Sequence, residues 1–175
     1  MSSPLPDYID PWRAVDAGAE FDGAWPLSGL SRLRESLRET EGEVGYRLAF
    51  ARDLEGRATL RGEIEARLVL TCQRCLGALE WDVAAPLGLA LVSGLDEARL
   101  LSEDLDPLLV SEEPIRLLDL IEDELLLALP QIAMHEPGDC APPSQEAVEE
   151  GEELEDARGV HPFAILGELG RGGKS

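Results

Sequence analysis

The sequence predicts an α+β fold that is mainly antiparallel β-sheet, with one or two packed helices and an acidic, flexible C-terminal tail. Apolar and polar residues alternate in three successive runs between residues 44 and 91, leucines recur at helical spacing on either side of these runs, and an acidic segment led by prolines follows. We predict a single domain over residues 1–140, an acidic disordered linker over 141–160 and a short C-terminal docking segment over 161–175.

The first predicted element is a short amphipathic helix over residues 28–38. Leu30, Leu33 and Leu37 recur there at intervals of three and four, which places them on one side of a helix. This helix would lead the chain into the sheet.

Three predicted strands follow in series. Val44, Tyr46, Leu48 and Phe50 alternate with small or polar residues in the first strand, and the same alternation continues over residues 58–70 and 79–91. In the third strand Pro86 indicates a bulge or a sheet edge, because proline cannot donate a hydrogen bond to a neighbouring strand. Strands in series predict a meander, which could curl toward a barrel.

A second helix of about three turns is predicted after the sheet. Leu117, Ile121, Leu125 and Ala128 recur at intervals of three and four, and Pro130 ends the pattern.

Composition restricts the class of protein. The chain of 175 residues is 44% apolar, which is enough for a core, and its formal net charge of -21 argues against nonspecific binding to RNA or to anionic membranes. It has neither an apolar stretch of about 20 residues nor a secretory signal, so we expect a cytoplasmic protein. Three cysteines are too few for a disulfide scaffold.

The cysteines and one histidine form a candidate metal site. Cys72 and Cys75 stand at CxxC spacing in the turn between the second and third strands, and His135 and Cys140 follow the second helix. Three thiolates and one imidazole would complete the tetrahedral shell of one structural zinc ion without an open position. Two alternatives remain. A redox CxxC would need a helix N-terminus, and the cysteines could be turn and core residues without a metal.

A second candidate site is an arginine-bearing sheet face. Residues 44–76 have a local charge balance of +2, and arginine can bind RNA phosphates through two hydrogen bonds. No exposed aromatic residues interleave with the arginines, so base stacking is not indicated. The alternative is that the arginines pair with neighbouring acids. The candidates are Arg47, Arg57, Arg61, Arg67 and Arg74.

An acidic run lies on the second predicted helix. Glu122, Asp123 and Glu124 are adjacent, so their side chains point in different directions and cannot converge on one ion. A solvated face or a partner-docking surface is the better interpretation. No phosphate loop, nucleophile elbow or catalytic triad is found, and neither an enzyme nor a small-molecule substrate is predicted.

Several segments in order resemble the YceD family, the bacterial large ribosomal RNA subunit accumulation proteins. The resemblance rests on residues 70–76, with the CxxC, on residues 119–130, on His135 with Cys140, and on the terminal Pro162-Phe163-Ala164. It implies a role in synthesis, processing or stability of 23S ribosomal RNA, and hence in large-subunit assembly, without catalysis. His161 stands where the family usually has Asn, and Arg116 where an acid commonly caps the helix.

Three functional hypotheses follow. The first is a non-enzymatic ribosome-assembly factor whose acidic surfaces recruit a basic partner such as a large-subunit ribosomal protein or an assembly intermediate. The second is a module that binds ribosomal RNA directly through the arginines, or a zinc-stabilised protein-interaction module. The third, a nuclease or RNA-modifying enzyme that uses the acidic run, has the least support.

Overall fold

The structure is a computed structural model that describes residues 5–102, 104–111 and 113–143. Apart from residues 141–143, the predicted linker and docking segment lie outside the described residues. The elements, in chain order, are α1 (Pro11–Ala17), β1 (Glu20–Pro26), 3-10 turns at Leu27–Gly29 and Leu33–Ser36, β2 (Glu43–Arg52), β3 (Ala58–Thr71), β4 (Ala78–Val92), α2 (Leu95–Ala98), β5 (Asp106–Leu109) and α3 (Leu117–Leu127).

Five strands form one open sheet in the order β1-β2-β3-β4-β5. The first four are antiparallel neighbours, and β5 runs parallel to the end of β4, from Leu89 to Val92. The α+β fold with an antiparallel meander is therefore confirmed, and the sheet does not close into a barrel. Pro86 lies before the segment of β4 that pairs with β5. Among the described residues it therefore has a neighbouring strand, β3, on one side only.

The core lies on one face of this sheet. Val44, Leu48, Leu60, Ile64 and Leu68 are almost fully buried, and their chain neighbours point to the other face. On α3 the buried apolar residues recur every four positions, at Leu117, Ile121 and Leu125. The three predicted strands and the second predicted helix are confirmed, and α3 begins after Arg116 without a side-chain cap.

Residues 28–38 do not form the predicted α-helix. They contain one complete 3-10 turn and most of another, and the buried leucines in and beside these turns, Leu27, Leu30 and Leu33, recur every three residues. Side chains three positions apart align in a 3-10 helix, so this spacing suits the observed turns. Leucines at intervals of three and four do not distinguish the two helix types.

Helix α1 was not predicted, although its ends carry clear signals. The Asp10 side chain accepts hydrogen bonds from the backbone N–H groups of Trp12 and Arg13, and Pro11 occupies the first helical position. Gly18 ends the helix with a left-handed φ of 59°. None of the helices among the described residues is long and apolar enough to span a membrane.

Candidate metal centre

The CxxC motif lies in a tight turn between β3 and β4. The Cys72 N–H donates to the Gly77 carbonyl at 2.9 Å, and the Leu76 N–H donates to the Cys72 carbonyl at 2.9 Å. Leu76 has a φ of 60°, a left-handed conformation that costs a leucine roughly 1–2 kcal/mol. The turn places both cysteines beside the strand ends, as the sequence predicts.

The chain returns to this turn after α3. The Gln73 N–H donates to the Ala133 carbonyl at 2.8 Å, and the Arg74 guanidinium donates to the carbonyls of His135, at 3.4 Å, and Glu136, at 3.5 Å. These bonds hold the segment that follows Pro130 against the turn. The fold thereby brings the other two candidate ligands close to the CxxC, although they are distant from it in the sequence.

All four predicted ligands converge on one point. The thiol sulfurs of Cys72, Cys75 and Cys140 and a ring nitrogen of His135 lie within 4.8 Å of one another. The Cys72 and Cys140 sulfurs are 3.9 Å apart, and the Cys75 sulfur is 3.5 Å from His135 Nδ1. Around a tetrahedral zinc, Zn–S and Zn–N lengths of about 2.3 and 2.0 Å give S–S and S–N separations of roughly 3.8 and 3.5 Å. The residues present therefore fit a metal ion.

Surrounding groups orient the ligand atoms. His135 Nε2 lies 3.0 Å from the Ala78 carbonyl oxygen. A carbonyl can only accept, so this bond assigns the proton to Nε2 and leaves the Nδ1 lone pair facing Cys75. The Gly77 N–H donates to the Cys75 sulfur at 3.4 Å, and Arg74 Nη1 lies 3.8 Å from the Cys140 sulfur. Both contacts help to hold the sulfur atoms in position.

The Cys72 and Cys140 thiols differ strongly in pKa. Burial raises the pKa of Cys72, but hydrogen bonds from the backbone of Cys75, His135 and Arg74 outweigh it and lower that pKa to about 5. Burial, hydrogen bonds with the other two thiols and repulsion from their charges raise the pKa of Cys140 to about 11. A thiolate at Cys140 is therefore disfavoured beside the Cys72 thiolate, and a bound cation would offset the repulsion between them. The cluster could hold a metal ion.

The alternative redox interpretation lacks its usual setting. A reactive CxxC commonly has its first thiol at a helix N-terminus. Here Cys72 is fully buried and the motif joins two strands, with no helix beginning at it in the part of the chain that the structure describes.

The arginines do not form one patch. Arg47, Arg61 and Arg67 point to the outer face of the sheet, whereas Arg57 lies beside the β2–β3 turn and Arg74 lies at the metal centre. The three outer arginines share their face with six acids from β1, β3 and β4. These acids are Glu20, Asp22, Glu63, Glu65, Glu80 and Asp82.

Each arginine on that face contacts an acid. Arg47 lies 3.5 Å from Glu63, Arg67 lies 2.8 Å from Asp82, and Arg61 lies 3.6 Å from Asp104. Arg57 likewise lies 2.7 Å from Asp53. The alternative of arginines paired with neighbouring acids therefore describes the geometry. The local balance of +2 does not describe the face, because neighbouring strands supply the acids.

The three adjacent acids of α3 have different environments. Glu122 is only 4% exposed, and its Oε1 accepts hydrogen bonds from the backbone N–H groups of Arg32, at 2.7 Å, and Leu33, at 3.0 Å. Its Oε2 accepts from Arg32 Nε at 3.0 Å. Asp123 also pairs with Arg32, and Glu124 is half-buried. The interpretation of the run as one solvated face is thus wrong for Glu122, which lies inside the domain.

These environments shift the acidities in opposite directions. Burial raises the pKa of Glu122, but hydrogen bonds from Leu33 and Arg32 outweigh it and hold that pKa below its usual range. Burial, together with the negative charges of Asp106 and Asp123, raises the pKa of Glu124. Sequence reasoning did not single out Arg32, and no local pattern marks it, since its partners lie about 90 positions away.

Fold and site together define a small α+β protein whose sheet carries a cluster of three cysteines and one histidine at the β3–β4 turn. A family model described as "Large ribosomal RNA subunit accumulation protein YceD" matches residues 60–170. A protein of that name from Haemophilus influenzae is 30% identical over 166 residues, which cover 94% of this chain and 95% of the relative. No solved structure matches the chain significantly. The chain belongs to the YceD family, and the resemblance inferred from its motifs is confirmed.

Proposed function

We propose that the protein is a non-enzymatic factor in ribosome biogenesis that promotes accumulation of 23S ribosomal RNA, through its synthesis, processing or stability, and thereby large-subunit assembly. The observation that carries this proposal is the match to YceD proteins over nearly the whole length of the chain. The family model also spans all four candidate ligands and α3.

We further propose that the protein acts through large-subunit ribosomal proteins or assembly intermediates rather than by holding RNA on its sheet. The outer arginines are paired with acids and outnumbered by them on their face. A net charge of -21 steers basic proteins toward the chain and repels bare RNA. No observation favours direct RNA binding over this mode.

The role proposed for the metal centre is structural, with one zinc ion. Cys72, Cys75, His135 and Cys140 would hold it, and four protein ligands leave no position for a reacting water. Zinc would supply the positive charge that the converging thiolates need. It would also fasten the segment after α3 to the β3–β4 turn.

Complementation of cells that lack the gene tests this proposal. Expression of the wild-type chain should restore the ratio of mature 23S to 16S ribosomal RNA. The triple variant Arg47→Ser, Arg61→Ser, Arg67→Ser should restore it equally, because exposed ion pairs contribute little to stability and the arginines are not the proposed contact. A wild-type chain without effect on the ratio would refute the proposed function. A folded triple variant that fails to restore it would refute the protein-mediated mode and favour RNA binding.

A further inference from the structure

An uncharged groove lies beside the metal centre. It has a volume of about 480 Å³, within the range of about 300–1,000 Å³ of binding sites, and none of its lining residues is charged. Leu70, Leu129, Pro130, Ile132 and Ala133 form its apolar part. The other lining residues, Ser36, Thr71, Gln73 and Gln131, are polar but uncharged, so the groove suits apolar side chains better than charged ones.

Exposed apolar side chains lie in one wall of the groove and just beyond it. Ile132 lines the groove and is 62% exposed, and Met134, two positions later, is 44% exposed. The wall is nonetheless held in place. Leu129 follows the end of α3, the Ala133 carbonyl accepts from the Gln73 N–H, and His135 belongs to the metal centre. A preformed groove loses little conformational entropy when it binds a partner.

The net charge of the protein distinguishes between the candidate partners of the groove. The described lining of the groove is uncharged, so the groove by itself does not select a partner by charge. The whole chain does select by charge, because its formal net charge is -21. A second copy would be repelled by the first, whereas a basic protein would be attracted at long range.

We propose that the groove binds an apolar peptide segment, flanked by lysine or arginine residues, of a basic large-subunit ribosomal protein. This inference rests on the proposed function and adds the place of contact and the chemistry of the partner. The segment would place its apolar side chains against Leu129 and Ile132, and its flanking cations would remain in solvent within the negative field of the chain.

Site-specific photo-crosslinking of the full chain in cells tests this inference. The photoreactive residue p-benzoylphenylalanine replaces Ile132 in one version and Leu54 in the control. Leu54 is likewise an exposed aliphatic residue, but it lies in the β2–β3 turn, at the other end of β3. Mass spectrometry of the products should identify, at position 132 alone, a ribosomal-protein peptide with an apolar segment next to lysine or arginine.

Substitution of the same positions provides a second measurement. Ile132→Asp should reduce co-purification of the crosslinked protein at least tenfold, whereas Leu54→Asp should not, and both variants should keep the wild-type melting temperature. Crosslinks from position 132 to a second copy, to residues 144–175 of the same chain or to RNA would overturn the inference, as would a product pattern identical to that from position 54.

Complementation separates this inference from the proposed function. If the wild-type chain restores the 23S to 16S ratio and Ile132→Asp restores it equally, the groove inference fails and the proposed function stands. If the wild-type chain itself leaves the ratio unchanged, the proposed function fails, whatever the crosslinks show.

Discussion

His135 Nε2 lies 3.0 Å from the carbonyl oxygen of Ala78, the first residue of β4. This hydrogen bond fixes the ring so that its other nitrogen faces the Cys75 sulfur, at 3.5 Å. A strand end thus orients a histidine that comes from a distant part of the sequence toward the other candidate ligands.

The first prediction concerns metal content. Protein purified without chelator should contain close to one zinc per chain, and Cys72→Ser should remove most of it, because the buried Cys72 sulfur contacts two other members of the cluster. A loss of about 3 kcal/mol would lower the melting temperature by roughly 6–12 °C. The matched control is Gln73→Ala, whose exposed side chain bonds only to the Thr71 carbonyl. A metal-free preparation as stable as the zinc-loaded one would refute the structural role.

The second prediction concerns the buried carboxylate of α3. Glu122→Leu should cost about 2–4 kcal/mol of unfolding free energy in urea, because the backbone N–H groups of Arg32 and Leu33 lose their acceptor. Glu122→Gln should cost about half as much, since the amide oxygen can still accept from those two donors, although the charge and the acceptor for Arg32 Nε are lost. Equal costs for the two variants would show that the backbone bonds contribute nothing.

The third prediction is the pH dependence of the contribution that the Glu122 carboxylate makes to the unfolding free energy. The pKa of Glu122 in the folded protein lies below its ordinary value of 4.5, because Leu33 and Arg32 donate to the carboxylate against the cost of burial. A lowered folded pKa gives stability that is fully present above about pH 4.5 and is lost as the pH falls through the folded value. The difference in unfolding free energy between wild type and Glu122→Gln should therefore be constant from pH 8 to 6 and shrink below 4.5. A difference that grows with acid would reverse the assigned sign.

The fourth prediction concerns a close contact between β2 and β3. A Cβ atom on Gly62 would lie 2.2 Å from the Arg47 carbonyl oxygen, so the backbone would have to move. Gly62→Ala should destabilise the protein by about 2–3 kcal/mol. Gly45→Ala in β2 is the control, because its nearest contact would be an ordinary 3.8 Å and its effect should stay within about 0.5 kcal/mol. Both values come from urea unfolding, and similar costs would contradict the contact.

Periodicity predicted the parts of the fold in which one pattern runs over many residues. Strands β2, β3 and β4 have 10, 14 and 15 residues, long enough for a period of two to be unambiguous. Strand β5 has four residues, including Pro107, and is placed by pairing with β4 rather than by its own pattern. The 3-10 turn at Leu33–Ser36 depends on Glu122, whose hydrogen bonds no local sequence pattern reveals.

The candidate site was predictable in its residue types but not in its convergence. CxxC spacing with two further ligands suggested the metal centre, yet the proximity of His135 and Cys140 requires the chain to turn back after Pro130. The acids that pair with the outer arginines could not all be found from the sequence, for the same reason. A count along the sequence omits Asp82 and Asp104, which reach Arg67 and Arg61 from other segments of the chain.

Sedimentation of ribosomal particles from cells that lack the gene tests the central claim most directly. We predict a deficit of mature large subunits with accumulation of large-subunit precursors, while the small-subunit peak remains normal or in excess. A profile identical to that of the parent cells, or a deficit confined to the small subunit, would contradict the proposed role in large-subunit assembly.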